Sequence, residues 1–567
     1  MPKKVVIGKQ DYASLIENNY FYVDKTDFIR QWWDAGDDVT LITRPRRFGK
    51  TLNMSMLNCF FSNKYAGRGD LFDGLDIWKY EEYRKIQGTY PVIFMSFADV
   101  KQSDYSSAVS KIKRIICTVY QEYADILRQD IYTDAERMQF DRVTQDMDDV
   151  TAQSSIQDLC RYLGRYYGKK VIVILDEYDT PMQEAYVYGY WNEFTGFLRS
   201  FFNSTFKTNP NLERAVMTGI TRVSKESMFS DLNNLNVITT TSEEYAQYFG
   251  FTEKEVFASL DAFGLSDKKD DVKKWYDGFT FGSQRDIYNP WSITNYLDKR
   301  RFASYWASTS ANSLVNSLIQ RASADIKKLM EELINGESIV VSFDEQIVFN
   351  QLDTDENALW SLLVAGGYLK VDNVDYRGIL RKPWYRLTIT NLETMGMFSD
   401  MFSGWFNGCD SHYNKFVEAM LNGSLKEMNL YINDVALTTF SSFDTGTHPS
   451  GRSQPERFYH GFVLGLIADL RDIYEIKSNR ESGYGRYDVM LIPLENDKSY
   501  NAIVMEFKVR EAYDEKELTA TADAALRQID ERNYDAELIR RGISKERIKH
   551  YGFAFEGKRV LIAERTE

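Results

Sequence analysis

A glycine-lysine-threonine triplet, set between an apolar run and the start of an amphipathic helix, is the stretch with the clearest capacity for chemistry. The candidate ligand-binding residues around it are Arg47, Phe48, Gly49, Lys50 and Thr51. A helix that begins here points free backbone N–H groups and its positive dipole end at the loop, which favours a polyphosphate. We expect Lys50 to contact the terminal phosphates and the Thr51 hydroxyl to bind Mg²⁺.

This loop departs from the standard phosphate-binding pattern at its first glycine position, which is occupied by Arg44. Short motifs of this kind match by chance, so a basic loop followed by an ordinary helix cap remains an alternative interpretation. A second group of residues further along the chain is needed to decide between the two.

Two carboxylates downstream are placed to complete such a site. Residues 171–175 are five consecutive apolar residues, a run typical of a parallel strand buried on both faces. Asp176 and Glu177 follow at its carboxyl end, which faces the ligand crevice in open α/β sheets. We expect Asp176 to hold Mg²⁺ and Glu177 to act as general base, against the alternative of a solvated acidic turn.

Polar residues follow a further apolar strand at 214–219. Thr218 or Thr221 is a candidate to sense the γ-phosphate. Arg222 is a candidate to stabilise negative charge during the reaction. A surface arginine after a strand also needs no function, so this assignment rests on position alone.

A second constellation lies near the carboxyl end of the chain. Side chains alternate along a strand, so Glu506 and Lys508 share one face of the strand at 500–509. Asp488 lies in the preceding strand of the predicted hairpin and can approach Glu506. Two carboxylates suit Mg²⁺ or Mn²⁺, which would stabilise charge on a phosphodiester, while Lys508 orients or helps deprotonate water. In the alternative, Lys508 only neutralises Glu506 and the domain only binds.

Composition narrows the class of protein. The 567-residue chain has a net charge of −14, so its mean field does not attract nucleic acid, although residues 538–559 carry seven basic side chains against two acidic ones. Four separate cysteines without a CxxC pair and four scattered histidines argue against a zinc site or a disulfide scaffold. The absence of a long apolar run predicts no membrane partner and a cytoplasmic location.

Several segments carry a family resemblance, namely RPRRFGKT, LDEYDTP, TGITRVS, WYDGFTFG and YNPWS. Together, and in this order, they resemble a family of AAA-like ATPases common in bacteria, over roughly the first half of the chain. The resemblance implies an ATP-binding α/β core followed by a helical lid, with the glycine replacement at Arg44 as a family trait. Such ATPases often assemble, so the resemblance also permits a homo-oligomer.

The carboxyl-terminal pattern has a resemblance of its own. Seventeen residues separate Asp488 from Glu506, and this D…ExK arrangement resembles the PD-(D/E)XK nuclease superfamily over roughly residues 410–567. The resemblance implies that Glu456 is the helix acid that some members use at the metal. It also implies that Gln528 and Tyr534 belong to the helical Gln/Tyr motif of a subgroup.

We therefore predict an α/β multidomain protein with four parts. They are a P-loop ATPase core with a parallel sheet and helices on both faces (1–240), a helical lid (241–335), a winged-helix-like module (336–409) and an α/β nuclease-like domain (410–567). Helix 357–363 and the strands at 368–372 and 385–389 are the basis for the third part.

The expected function is ATP hydrolysis coupled to metal-dependent cleavage of nucleic acid, with DNA as the expected substrate. We expect the ATP state to gate the nuclease site. ATP and Mg²⁺, or Mn²⁺ at the nuclease site, are the expected cofactors. The alternative is a nucleotide-dependent switch whose nuclease fold is inactive and binds only nucleic acid or a protein.

Overall fold

The structure, a computed structural model, describes most of the chain. The described residues are 3–221, 229, 232–307, 313–334, 336–345, 352, 355–404, 410–439, 463, 467, 470, 473–482, 485–494, 500–510, 517–556 and 559–565. The chain divides into two compact units. The first comprises Met1–Val315 and Val340–Thr394, and the second comprises Asn316–Ile339 and Met395–Glu567.

The first unit is built on a five-stranded parallel sheet, which we call the nucleotide sheet. Its strands are β1 (Val39–Thr43), β2 (Val92–Ser96), β3 (Val171–Asp176), β4 (Leu212–Gly219) and β5 (Leu235–Ile238). Their order is β2-β3-β4-β1-β5, and every neighbouring pair is parallel. Every residue of β1 and β3 is buried, as expected for central strands of a parallel sheet. This confirms the predicted parallel α/β architecture.

Helices precede and connect the strands of this sheet. They are Tyr12–Glu17, Asp27–Ala35, Lys50–Phe61, Glu81–Arg84, Tyr105–Glu122, Ala124–Leu127, Asp134–Asp141, Asp149–Tyr167, Thr180–Val187 and Trp191–Phe202. Asp104 and Asp148 start the two longest of them by accepting hydrogen bonds from backbone N–H groups of the first turn. Because β4 lies between β3 and β1, the carboxyl ends of these three strands meet at one edge.

The region expected as a helical lid contains a sheet as well as helices. Its helices are Glu253–Ala262, Lys269–Tyr276 and Pro290–Lys299, and its antiparallel strands are β6 (Phe251–Thr252), β7 (Phe279–Phe281) and β8 (Gln284–Tyr288). The strand β7 forms because Phe279 and Phe281 alternate with period two and both pack against Phe48. This three-residue strand was not predicted from the sequence, because the segments on either side of it have the periodicity of helices.

A helix and a hairpin occupy the part of the chain where a winged-helix-like module was expected. The helix Ala358–Ala365 is followed by β10 (Leu369–Arg377) and β11 (Lys382–Ile389), which pair antiparallel. A short third strand, β9 (Ile339–Val341), pairs with β11 on its other side. The helices Ser313–Arg321 and Ala324–Ile334 precede this part, and Leu392–Gly404 follows it.

The second unit contains a mixed five-stranded sheet in the order β12-β13-β14-β15-β16. The strands are β12 (Tyr474–Ser482), β13 (Gly485–Pro493), β14 (Ala502–Val509), β15 (Ile548–Glu556) and β16 (Arg559–Glu564), and only β14 and β15 run parallel. Apolar side chains of one face pack with the helices Asp410–Asn422 and Leu425–Thr439. The other face packs with the helices Leu518–Arg532 and Ala536–Arg540, which connect β14 to β15. None of the helices in the described part of the chain is long and apolar enough to cross a bilayer.

Candidate nucleotide site and candidate metal centre

The edge of the nucleotide sheet brings Thr51 and Asp176 together, although 125 residues separate them. Thr51 Oγ1 donates a hydrogen bond to Asp176 Oδ2 at 2.6 Å. Thr218, at the end of β4, donates its hydroxyl to the other carboxylate oxygen. Burial raises the pKa of Asp176, and the two hydroxyl donors oppose that rise. The predicted Mg²⁺-binding pair is therefore assembled and held from both sides.

The amino group of Lys50 lies inside the loop that precedes its helix. The residue is only 5% exposed, and Nζ donates to the carbonyl oxygens of Arg44 at 3.0 Å and Pro45 at 2.9 Å. Burial lowers the pKa of Lys50, and the nearby charges of Glu177 and Asp176 oppose this effect. The amine thus lies among the acidic groups at the sheet edge, and loop carbonyls accept its hydrogen bonds.

Backbone donors at the helix start are also available to a ligand. Gly49 has a φ of 81°, in the left-handed region that glycine adopts without strain, and the helix begins at Lys50. Within the described residues, the N–H groups of Gly49, Lys50 and Thr51 have no hydrogen-bond acceptor. Three such donors beside a buried ammonium group form an arrangement suited to an anion.

Arg44, at the first-glycine position of the loop, is an internal brace. It is fully buried, and its guanidinium group donates to the carbonyl oxygens of Thr43 at 2.9 Å, Thr239 at 2.6 Å and Glu244 at 3.2 Å. Its centre also lies 4.6 Å from the centre of the Phe281 ring. Burial lowers the pKa of Arg44 to about 9. The sequence did not signal this role, because the distant acceptors are backbone carbonyls about 200 residues away.

Two further candidates in the loop have different surroundings. The Phe48 ring is completely buried, with its centre 4.7 Å from that of Phe279, so this side chain packs the loop and cannot reach a ligand. The predicted contact of Phe48 with a nucleotide would therefore involve its backbone. The exposed Arg47 has a φ of 64°, and its guanidinium group lies 3.6 Å from the ring centre of Trp291. Arg47 is therefore exposed at the loop, and its contact with a nucleotide stays a prediction.

Asp179 is a member of the site that sequence reasoning missed. It is buried, and its Oδ2 accepts hydrogen bonds from Ile220 N at 3.0 Å, Thr221 N at 2.8 Å and Thr221 Oγ1 at 2.7 Å. Burial raises its pKa, and these donors oppose the rise. A Cβ at Gly219 would lie 2.6 Å from Asp179 Oδ1, so a glycine is required at the end of β4. The sequence did contain a signal for this residue, since Asp179 follows Asp176 by three positions in the segment DEYD.

The proposed catalytic residues at this edge are only partly described. Glu177 directly follows β3, has a φ of 52° and accepts a hydrogen bond from Thr180 Oγ1 at 3.0 Å. A non-glycine residue in the left-handed region is uncommon and marks a constrained backbone. Arg222 lies outside the described residues.

The register of the carboxyl-terminal sheet places Asp488 and Glu506 opposite each other. Val489 pairs with Met505 and Met490 pairs with Val504 in the antiparallel pair β13–β14. Continuing this register by one residue brings Asp488 opposite Glu506, and directly opposed residues project to the same face. Among the described residues, the backbone pairing of these strands stops at Val489 and Met505. Beyond it, Asp488 Oδ2 accepts a hydrogen bond from the backbone N–H of Phe507 at 2.8 Å.

A glycine explains how Gln528 reaches this face. Glu506 pairs with Gly552 of the neighbouring parallel strand, where a Cβ would lie 2.5 Å from the carbonyl oxygen of Ala522. The helix Leu518–Arg532 can therefore lie close to the sheet, and Gln528 Nε2 donates a hydrogen bond to Glu506 Oε1. Glu506 is only 3% exposed.

Tyr534 lies beside Gln528 in the structure. Its hydroxyl accepts a hydrogen bond from Gln528 Nε2 at 3.3 Å. Burial raises the pKa of Tyr534, and the charges of Glu506 and Asp488 raise it further. The phenol therefore lies near both carboxylates.

Lys508 is half-buried on the same face as Glu506. In the part of the chain that the structure describes, its amino group makes no ion pair, including none with Glu506. The neutralised-strand alternative is therefore not the arrangement observed. The hard oxygen donors of Asp488 and Glu506 fit Mg²⁺ or Mn²⁺. Glu456 lies outside the described residues.

The basic segment 538–559 is less positive than its sequence indicates. Arg541 pairs with Glu475 at 2.6 Å and Lys549 pairs with Glu564 at 2.8 Å. The acidic partners lie outside the segment, so counting charges within it overestimates its field.

A third acidic group lies in the segment that was expected to form the lid. Oxygen atoms of Glu253, Asp277 and Asp286 lie within 4.8 Å of one another. Lys273 Nζ pairs with Glu253 and lies 3.9 Å from Asp277 and 3.5 Å from Asp286, so one ammonium group offsets part of the negative charge of the three carboxylates.

Comparisons with known proteins identify similarity in two separate parts of the chain. Residues 6–229 match a family described as predicted AAA-ATPase, and residues 454–565 match the PD-(D/E)XK nuclease superfamily. A protein of Azotobacter chroococcum mcd 1, described as an uncharacterized protein in the vnfD 5′ region, is 26% identical over 559 residues. That similarity covers 95% of this chain and 94% of the relative. The chain therefore combines an amino-terminal AAA-ATPase-like domain with a carboxyl-terminal domain of the PD-(D/E)XK nuclease superfamily.

Proposed function

We propose that the protein hydrolyses ATP at the nucleotide sheet. We also propose that it cleaves nucleic acid, with DNA as the expected substrate, at the carboxyl-terminal sheet in the presence of a divalent metal. The observation that carries the proposal is the second site: Asp488 and Glu506 lie on one face, next to a lysine amine without an acidic partner among the described residues. Two carboxylates that can hold a metal, with a cation on the same face, suit metal-dependent cleavage of a phosphodiester.

At the nucleotide site, each residue has a role that follows from its position. Lys50 exchanges the carbonyls of Arg44 and Pro45 for phosphate oxygens, which accept from an ammonium group more strongly because they are charged. Thr51 and Asp176 hold Mg²⁺. Glu177 lies at the same edge and orients the attacking water as general base.

At the second site, Asp488 and Glu506 hold Mg²⁺ or Mn²⁺, which stabilises the negative charge that develops on the phosphodiester. Gln528 fixes the orientation of Glu506 through its hydrogen bond. Lys508 contributes a positive charge on the same face, where it orients the attacking water or the scissile phosphate. The nucleotide state of the first domain gates this activity.

Cleavage of plasmid, linear duplex and single-stranded DNA with Mn²⁺, with and without ATP, tests the proposal. We expect the wild-type protein to cut at least one substrate and Asp488→Ala to lose cleavage while it retains ATP hydrolysis. Lys50→Ala should abolish the response to ATP. Equal metal-dependent cleavage by Asp488→Ala and by wild type would refute the site.

A second candidate function is a nucleotide-dependent switch whose nuclease fold only binds nucleic acid or a protein. It is favoured by the hydrogen bonds that both carboxylates already accept, from Phe507 N and from Gln528 Nε2. Retention of DNA in a binding assay without cleavage under any of the metal conditions would support this candidate.

A further inference from the structure

The tip of the β10–β11 hairpin, residues 376–382, presents apolar side chains to solvent. Ile379 is 99% exposed, Leu380 is 92% exposed and Tyr376 is 61% exposed. Single exposed apolar residues are common on protein surfaces. Two adjacent aliphatic residues that are almost fully exposed are a different feature, because no described part of the fold packs against them.

The backbone holds these two residues at the end of a closed turn. Arg377 pairs with Lys382 across the hairpin, and Arg381 N donates to Gly378 O at 3.1 Å. Gly378 and Arg381 both have positive φ, 71° and 48°, so the chain reverses within four residues. Ile379 and Leu380 are the two central residues of that reversal, and they form the outermost point of the hairpin.

Cations flank the apolar point. Arg377, Arg381 and Lys382 make no ion pair within the described residues, and residues 376–382 contain no acidic side chain. The Arg377 guanidinium group lies 4.5 Å from the ring centre of Trp384, and that of Arg381 lies 5.2 Å from the ring centre of Tyr376. These aromatic contacts orient the guanidinium groups without neutralising them.

We propose that the hairpin tip binds duplex DNA, with Ile379 and Leu380 inserted between base pairs from the minor groove and the three cations on the flanking phosphates. Aliphatic wedges of this kind partly unstack a base step and bend the duplex. This inference rests on the proposed function, since it assigns a binding element to the same nucleic-acid substrate.

Charge and shape favour a duplex over a lipid surface. A chain of net charge −14 is repelled by both kinds of anionic surface, so attraction must be confined to a local point. Stable membrane binding needs a broad apolar face or two anchoring signals, whereas this tip offers two aliphatic side chains. A groove between two phosphate backbones receives a narrow apolar wedge with a cation on either side.

The test measures binding and base unstacking separately from cleavage. The full-length Asp488→Ala protein is titrated into a duplex that contains 2-aminopurine, whose fluorescence rises when its base step unstacks. We expect Ile379→Ser/Leu380→Ser to lose the fluorescence rise, and Arg377→Gln/Lys382→Gln to weaken binding roughly tenfold or more. The second pair should also lower the slope of log K against log salt concentration by about 2. Val150→Ser/Ile131→Ser, which changes exposed apolar residues elsewhere, should match the parent.

Each outcome decides between this proposal and others. Unchanged binding and unstacking in the tip variants overturn the proposal, even if the wild-type protein cuts DNA. Tip-dependent binding by a protein whose wild type never cuts DNA would support the tip and refute the nuclease. Tighter tip-dependent binding to phosphatidylserine vesicles than to DNA, or tip-dependent dimers in light scattering, would also overturn it.

Discussion

The nucleotide site and the carboxyl-terminal site both place carboxylates on a sheet next to a lysine, but they differ in the surroundings of that lysine. Lys50 is buried and donates to two loop carbonyls. Lys508 is half-buried, and among the described residues no acidic group neutralises it. A phosphate must displace existing contacts at the first site, whereas the second lysine is available to a substrate as it stands.

The difference indicates where conformational change is required. Arg44, Phe48 and Arg47 of the phosphate loop all contact the segment that follows the nucleotide sheet, so a shift of the loop would alter those contacts. The carboxyl-terminal site is held within one sheet and the helix that crosses it. We infer that nucleotide binding rearranges the first site and that the second site needs no rearrangement of its lysine.

The largest expected effect comes from Lys508→Ala. Loss of the only positively charged side chain that we assign to this reaction should reduce DNA cleavage by about 10² to 10⁴-fold, as for other residues that take part in proton transfer or charge stabilisation. Mn²⁺ affinity, measured by calorimetry, should not fall, because the carboxylates remain. Lys426→Ala, at an exposed position of the same unit and outside the basic segment 538–559, is the matched control. Normal cleavage by Lys508→Ala would remove the contrast between the two lysines.

Lys50→Ala should weaken ATP binding by about 100-fold or more, since it removes a buried cation that would contact phosphate. Fluorescent-nucleotide titration measures the affinity. Lys79→Ala, whose side chain is 69% exposed, should bind like wild type. Nucleotide binding that survives in Lys50→Ala would show that the buried amine has only a structural role.

Arg44→Gly restores a glycine at the first loop position and tests the brace directly. The variant loses three hydrogen bonds from a buried guanidinium group and should lower the free energy of unfolding by about 3 kcal/mol. Urea denaturation measures the loss. Nucleotide affinity of the folded variant should change far less than in Lys50→Ala, and the opposite ranking would make Arg44 a ligand.

The smallest effect is a pH dependence at Asp179. Burial raises its folded-state pKa above the usual value of about 3.8, so its stabilising contribution is fully present below that pH. The contribution is lost as pH rises through the folded-state pKa. Asp179→Asn does not titrate, so the stability of wild type relative to this variant should fall with rising pH. Thermal unfolding across that range measures the difference, and parallel curves would contradict the assigned burial effect.

The sequence predicted the parts of each site that depend on local pattern. The strand–loop–helix around Lys50 and the run that ends at Asp176 are continuous segments, and period-two alternation placed Glu506 and Lys508 on one face. Arg44 and Asp179 could not be assigned in this way, because they bond to backbone groups that only the folded chain brings near. The close approach of the helix Leu518–Arg532 to Gly552 likewise depends on packing that the sequence does not show. The Gln528 motif nevertheless singled out the side chain that contacts Glu506.

The central claim is that the opposed carboxylates of the second site hold a divalent metal. A crystal structure with Mn²⁺, analysed by anomalous scattering, measures this directly. We expect an anomalous peak between Asp488 and Glu506 that is absent from Asp488→Ala crystals. No peak at saturating Mn²⁺, together with Lys508 turned into an ion pair with Glu506, would contradict it.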